Sequence, residues 1–177
     1  MLRNLLLSEK MPQQKLFPIY CIDTSALINL TRYPGYPKDI FPAIWEKLED
    51  LVKRGELISQ IEVYNEIKER EDPTYDWCRR NKKMFKDIDN CQRKELENIQ
   101  YQYNCEYWNN EINKGGPWAD PWLIALSICE NAIIVTDEKN KSNHIPYIAN
   151  HFNRQCLNLI NFFKKVGIKY EVKNETD

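Results

Sequence analysis

Ala132-Ile133-Ile134-Val135-Thr136, with Asp137 directly behind it, is the stretch whose reading decides the fold class. It is a continuous apolar run, mostly β-branched, and it does not alternate with polar residues. Such a run suits a strand buried on both faces, as in a parallel sheet covered by helices. Just upstream, Asp120 to Glu130 reads as a helix, with Asp120 at the N-cap and Pro121 at the first helical position. Further back, Phe17 to Ile22 is a second apolar run that ends at Asp23, and Thr24 to Leu30 opens a helix or turn. Tyr33 to Pro42 holds three prolines and a glycine and reads as a loop. From Pro42, the residues Ile44, Trp45, Leu48, Leu51 and Val52 recur at helical spacing, and Gly55 is a C-terminal stop.

Leu57 to Ser59 is a further candidate strand, followed by helical spacing over Ile61 to Arg70. The polar and aromatic segment from Tyr75 to Asn113 reads as two helices, Tyr75 to Phe85 and Asn90 to Ile112. Downstream of Asp137 come a short helix (Ile145 to Phe152), a short strand (Gln155 to Leu159) and a helix (Asn161 to Val166) stopped by Gly167. Strands alternating with helices predict a three-layer α/β/α fold with a central, mostly parallel sheet. The expected organisation is a lead-in over 1–16, one domain over 17–167 with a helical insertion at 75–113, and a polar tail over 168–177.

The chain has 177 residues, enough for one domain with a sizeable core. Net charge is −1, so no overall basic field points to nucleic acid. No stretch approaches the roughly 20 apolar residues of a membrane span, and the opening residues lack a secretory leader's apolar region. A cytoplasmic location is therefore expected. The six cysteines then read as free thiols, with Cys21 and Cys129 as small core residues. No C-x-x-C pair exists, and neither His144 nor His151 has a cysteine at zinc-site spacing.

Four acids stand at telling places. Asp23 follows the first strand and Asp137 follows the Ala132–Thr136 strand, so a parallel sheet puts both on its carboxyl edge, where ligands of such folds bind. Asp120 begins the intervening helix, and Glu66 lies in the helix after the second strand. Carboxylates that converge repel one another and stay ionised together only around a cation, and all-oxygen ligands suit Mg²⁺ or Mn²⁺. Such ions activate water for in-line attack on phosphorus. Ser25 and Thr136 are supporting candidates through their hydroxyls. Glu138, beside Asp137, could replace or assist it.

Ile19-Tyr20-Cys21-Ile22-Asp23-Thr24-Ser25-Ala26-Leu27-Ile28 resembles the opening of a PIN domain. Glu66-Ile67, Ala119-Asp120-Pro121-Trp122-Leu123-Ile124-Ala125 and Val135-Thr136-Asp137-Glu138 resemble that family's other acidic motifs, in the same order. The resemblance spans about Pro18 to Phe163. The Trp118-to-Trp122 context looks most like a group of uncharacterised bacterial PIN-like proteins. It implies a metal-dependent ribonuclease with Asp23, Glu66, Asp120 and Asp137 as catalytic ligands of Mg²⁺ or Mn²⁺. Many relatives are VapC-like toxins, which brings in a cognate antitoxin and a homodimer as candidate partners beside RNA. The 75–113 segment is longer than in a minimal toxin.

Each acid also has a plain structural reading. Asp23 and Asp120 are good helix caps, Asp137 could open a turn, and Glu66 lies among Glu62, Glu69 and Glu71 on a solvated face. Four such coincidences in the right order are the less economical account. Two other functions compete with the ribonuclease. A small-molecule phosphohydrolase would want a second Asp where Ser25 stands. A non-catalytic scaffold binding RNA or protein would be favoured by a missing acid, and none is missing. In the insertion, Tyr75, Trp77, Arg79, Arg80, Lys82, Lys83, Phe85 and Lys86 interleave aromatics with cations, a pattern that suits RNA, but a packed helix explains it more simply.

Overall fold

The structure, a computed structural model, describes residues 17–32, 35–70 and 72–168. The lead-in expected over 1–16 lies outside the described residues, as does nearly all of the expected tail. Along the chain the elements are β1 (Tyr20–Ile22), α1 (Thr24–Thr31), α2 (Pro42–Arg54), β2 (Leu57–Gln60), α3 (Ile61–Lys68), α4 (Pro73–Arg80), a 3₁₀ turn (Lys82–Met84) and β3 (Phe85–Lys86). They continue through α5 (Asn90–Gln100), α6 (Cys105–Lys114), α7 (Asp120–Cys129), β4 (Ile133–Val135), α8 (Ile145–Asn150), β5 (Cys156–Leu157) and α9 (Leu159–Lys165).

The five strands form one sheet in the order β3-β2-β1-β4-β5, and every pairing is parallel. The order reverses between β1 and β4, where Ile22 stands opposite Val135. Parallel strands need crossovers, and right-handed crossovers put helices on both faces. The result is the expected three-layer α/β/α arrangement. Among the described residues no helix is long and apolar enough to cross a membrane.

The helices follow from simple local rules. In α2, Ile44, Trp45, Leu48, Leu51 and Val52 are buried in one stripe. Gly55 ends it in the left-handed region (φ 71°), its N–H reaching the carbonyls of Leu51 and Val52. By contrast, α7 is apolar nearly all round, burying Pro121, Leu123, Ile124, Ala125, Leu126 and Ser127. It lies against β1, β2 and β4 on one side and against α5 and α8 on the other. A helix enclosed in this way has no polar face to spare.

The 75–113 segment departs from the two helices expected there. Phe85 and Lys86 form an edge strand, pairing with Ser59 and Gln60. Asn104 breaks the second helix in two, its side chain accepting the Tyr107 N–H at 3.1 Å to start α6. The segment therefore contributes a strand to the sheet and, through α5, a layer against α7. The packing of α5 on α7 also brings Cys91 and Cys129 to a Cα separation of 6.1 Å, and they form a disulfide. This corrects the expectation of free thiols for those two, while Cys21, Cys78, Cys105 and Cys156 are unpaired.

Candidate functional site

The carboxyl ends of β1 and β4 meet at the reversal in strand order, which is where α/β sheets of this kind bind ligands. Asp23 leaves β1 there, its N–H donating to the Val135 carbonyl at 2.9 Å. Its side chain is 2% exposed. Oδ2 accepts from the Ser25 N–H (3.1 Å), the Ser25 hydroxyl (2.6 Å) and the Thr136 hydroxyl (3.0 Å). These described bonds all fall on one oxygen, so Oδ1 is left for other work. Asp23 is thus the N-cap of α1, as its structural reading held, and also a carboxylate oriented by two hydroxyls. The two hydroxyls that the sequence offered as supporting candidates, of Ser25 and Thr136, thus both bond to Asp23. Ser25 Oγ further accepts the Asp137 N–H at 3.1 Å, tying the loop after β4 to α1.

Glu66 projects from α3 and is fixed at both oxygens. Thr24 donates its hydroxyl to Oε2, and the Ala119 N–H donates to Oε1 at 2.8 Å. Sequence reading passed over Thr24, although it lies inside the motif that flagged Asp23. The Ala119 bond joins α3 to the start of α7.

Asp120 differs from the expectation of an N-cap. The cap is Ala119, without a side-chain hydrogen bond, and Asp120 is the first helical residue with Pro121 behind it. A carboxylate at the cap would turn back onto the N–H groups of the first turn. One residue further on, it is released from that duty.

Electrostatics show which acids share a site. Desolvation raises the Asp23 carboxyl above its ordinary pKa, Glu138 adds to this, and the Ser25 and Thr136 hydrogen bonds oppose it. Glu66 is pushed up to about 7, first by desolvation and then by Asp23 and Glu62, against the bonds from Thr24 and Ala119. Asp120 is raised well above its ordinary value, by desolvation and then by Asp23, Glu138 and Glu66, with a Trp118 hydrogen bond working against them. Asp23, Glu66 and Asp120 therefore act on one another, and Glu138 acts on Asp23 and Asp120.

Asp137, the other expected ligand, has both side-chain oxygens engaged by neighbours. Its Oδ1 accepts the Leu159 N–H at 2.9 Å, where α9 begins, and its Oδ2 accepts from Asn29 Nδ2 at 2.9 Å. It lines a separate open cavity of about 430 Å³ with Asn29, Arg32, Tyr36 and Asn158. Of the two neighbours that sequence left open, Glu138 is the one whose charge acts on Asp23 and Asp120. Glu138 Oε2 accepts the Ile145 N–H at 2.9 Å and lies 3.5 Å from His144 Nδ1, a histidine that had no motif to mark it.

The donor set is all oxygen and largely buried, which fits Mg²⁺ or Mn²⁺. Among the described residues no three of these side chains already stand as a finished cage. The fit rests on the chemistry of the donors. One contrast separates the two neighbours. Asp137→Ala is expected to cost about 1 kcal/mol of stability, from its lost bond to the start of α9, and to leave Mn²⁺ affinity unchanged. Glu138→Gln is expected to weaken Mn²⁺ binding by about 10- to 100-fold. Calorimetric titration with Mn²⁺ measures both, and the reverse pattern would restore Asp137 to the site.

A family described as a domain of unknown function, DUF4411, matches residues 20–170. No curated protein matches the chain.

Proposed function

The chain belongs to the DUF4411 family, and we propose that this member is a divalent-metal-dependent endoribonuclease. The observation that carries this reading is the set of four carboxylates, Asp23, Glu66, Asp120 and Glu138, at the reversal point of a parallel sheet, where desolvation and neighbouring negative charge raise Asp23, Glu66 and Asp120. The resemblance of the motifs around Asp23, Glu66, Asp120 and Thr136 to those of PIN domains supports it. By the same resemblance the protein acts in the cytoplasm as the toxin of a toxin–antitoxin pair, with its antitoxin and a second copy of itself as protein partners.

Asp23, Glu66, Asp120 and Glu138 would hold Mg²⁺ or Mn²⁺. When bound, such an ion supplies Lewis acidity toward water and phosphate oxygens. The chain's own part is to hold its carboxylates still. Ser25 and Thr136 lock Asp23 on one oxygen and present the other. Thr24 and the Ala119 N–H hold Glu66 at its two oxygens from two elements, so α1, α3 and α7 are set against one another at the site. Preorganisation of this kind is worth more than contact count, because the groups need not reorganise as the reaction proceeds. Ser25 spends both its N–H and its hydroxyl on Asp23. The position that a phosphohydrolase of small esters would give to a second Asp therefore serves to orient the first.

Incubation of the folded protein with a mixed RNA pool tests the reading. Cleavage is expected with Mn²⁺ or Mg²⁺ and none with EDTA. Intact RNA after incubation with metal and well-folded protein would overturn the enzyme in favour of a binding scaffold.

A further inference from the structure

Helix α1 carries acid-holding residues at its start and a second set of polar groups at its end. Thr24 and Ser25, in the first turn, bond to Glu66 and Asp23. By the rise of a helix, Asn29 stands about 6 Å beyond Ser25 along the axis and Arg32 about 10 Å beyond it. Both line the open cavity of about 430 Å³ that also takes in Asp137, Tyr36 and Asn158. That volume falls within the range of small-ligand sites. The cavity and the acids share a wall. Ser25 Oγ donates to Asp23 Oδ2 at 2.6 Å on one side and accepts the Asp137 N–H at 3.1 Å on the other.

The polar groups of this cavity are only partly used inside the fold. Asn29 Nδ2 and the Leu159 N–H occupy the two oxygens of Asp137, both at 2.9 Å. Asn29 keeps its Oδ1. Asn158 gives its Oδ1 to the Asn161 N–H at 2.9 Å and keeps its Nδ2. One acceptor and one donor are thus left over. Arg32 is exposed, and its side chain is bonded to no other described residue. Only its backbone is tied, the N–H donating to the Ile28 carbonyl at 2.8 Å. Tyr36 is half-buried, its ring braced edge-to-face by Phe41 (5.7 Å between centroids) and Phe163 (5.1 Å).

An arginine inside the acidic set would pair with the acids and compete for the place of a metal ion. Arg32 stands beside the set without pairing to it. It is placed to meet a second negative charge on a substrate whose first lies at the acids. Single-stranded RNA has that pattern: a phosphate at every nucleotide, a flat face on each base, and donors and acceptors along the base edge.

We propose that this cavity is a nucleotide subsite, taking the base of a nucleotide near the scissile linkage of single-stranded RNA while Arg32 pairs with that nucleotide's phosphate. This rests on the ribonuclease reading and adds the substrate contact that the acids do not supply. The base lies against the Tyr36 ring, and its edge meets Asn29 Oδ1 and Asn158 Nδ2. The loop after β4 then serves both places. Glu138 belongs with the acids, and its neighbour Asp137 holds Asn29 and the start of α9 around the base.

Two measurements test the subsite. In the first, a labelled single-stranded RNA is titrated by fluorescence anisotropy, with Ca²⁺ in place of Mn²⁺ so that binding is read without turnover. Wild type is compared with Arg32→Gln and with Lys53→Gln. Lys53 lies in the last turn of α2, near the amino edge of the sheet, where the Glu56 carbonyl meets the start of β1. Arg32→Gln is expected to weaken binding by about 5-fold at about 50 mM salt. Between about 50 and 200 mM, its slope of log affinity against log salt should be shallower by about 0.7, the loss of one phosphate contact on a single strand. Lys53→Gln should match wild type in both respects.

In the second, Mn²⁺ is present and each RNA carries one abasic position, moved stepwise along the strand. Cleavage should drop by about 10-fold at the linkage that stands at one fixed offset from the abasic position, the scale of a lost base contact, and hold elsewhere. An Arg32→Gln slope equal to that of wild type, an equal effect of Lys53→Gln, or cleavage indifferent to the abasic position would overturn the subsite and leave the ribonuclease standing. A melting temperature of Arg32→Gln below that of wild type would give the guanidinium a place in the fold and overturn the subsite as well. A wild type that neither binds nor cleaves RNA would overturn both readings.

Discussion

Asp23→Asn is expected to reduce metal-dependent RNA cleavage by about 10²- to 10³-fold, the scale of losing a preorganised group at a reacting centre. The fold should survive the change. The Asn oxygen can still accept from the Ser25 N–H, the Ser25 hydroxyl and the Thr136 hydroxyl, which now converge on Oδ2. Asn also caps a helix about as well as Asp does. The substitution therefore removes a charge and little else, and it separates the two duties of this residue. Were Asp23 only the cap of α1, cleavage by the variant would match wild type. In the absence of metal the variant should melt no earlier than wild type, because it no longer holds a desolvated carboxyl beside Glu138. Cleavage rate and melting temperature, measured on the same preparation, decide the point.

The second large effect is on stability against pH. Glu66 titrates in the fold at about 7, against 4.5 for an ordinary glutamate, and Asp23 and Asp120 are shifted in the same direction. A carboxyl whose folded pKa is raised binds more protons folded than unfolded. Its stabilising contribution is complete below the unfolded pKa and is lost as pH rises through the folded one. Metal-free protein should therefore lose stability as pH rises from about 4.5 to above 7. Glu66 alone contributes at most about 3 kcal/mol, reduced by solvent at its open side. In a chain of this size that is a fall in melting temperature of roughly 5–10 °C. Mn²⁺ should reverse most of the fall at pH 8 and little of it at pH 5, since protonated carboxyls do not ligate. Asp120→Asn should flatten the metal-free curve. Asp72 is shifted the other way, its hydrogen bonds from Arg70, Tyr75 and Thr74 outweighing desolvation, and it acts below this window. A melting temperature in EDTA that is flat or rising between pH 5 and 8 would sink the account of four acids held together under strain of charge.

Local pattern carried the larger part of the architecture. The stripe from Ile44 to Val52 and the stop at Gly55 are periodic and local, and α2 runs as they imply. Asp23 and Asp120 were readable because strand ends and helix starts leave strong local marks. What escaped is non-local or too short for a period. Phe85–Lys86 is a two-residue strand and cannot show alternation. The break at Asn104 depends on one side chain capping α6 in place of a continued helix. Asp137 and Glu138 are adjacent in a loop where alternation has ended. Which of them faces the acids is decided by bonds to Ser25, Asn29 and Leu159, residues far away in the chain. The Cys91–Cys129 bond spans 38 residues and follows from helix packing that no spacing rule announces. The hydroxyl of Tyr103, orphaned among the described residues, likewise exists only in three dimensions.

The parallel pairing of β1 with β4 has a consequence for how the protein is made. Asp23 and the Thr136 hydroxyl that orients it are separated by 113 residues. Contacts at such distance along the chain form late, after the entropy of closing the intervening loop has been met. On a translating ribosome, β1 emerges early and waits beside β2 for a neighbour that has not yet been synthesised. Until β4 arrives, Asp23 has neither its strand partner nor its hydroxyl clamp, and Glu138 does not exist. Through most of its synthesis a growing chain therefore lacks this cluster, and the acids come together only when β4 and the loop after it have been added.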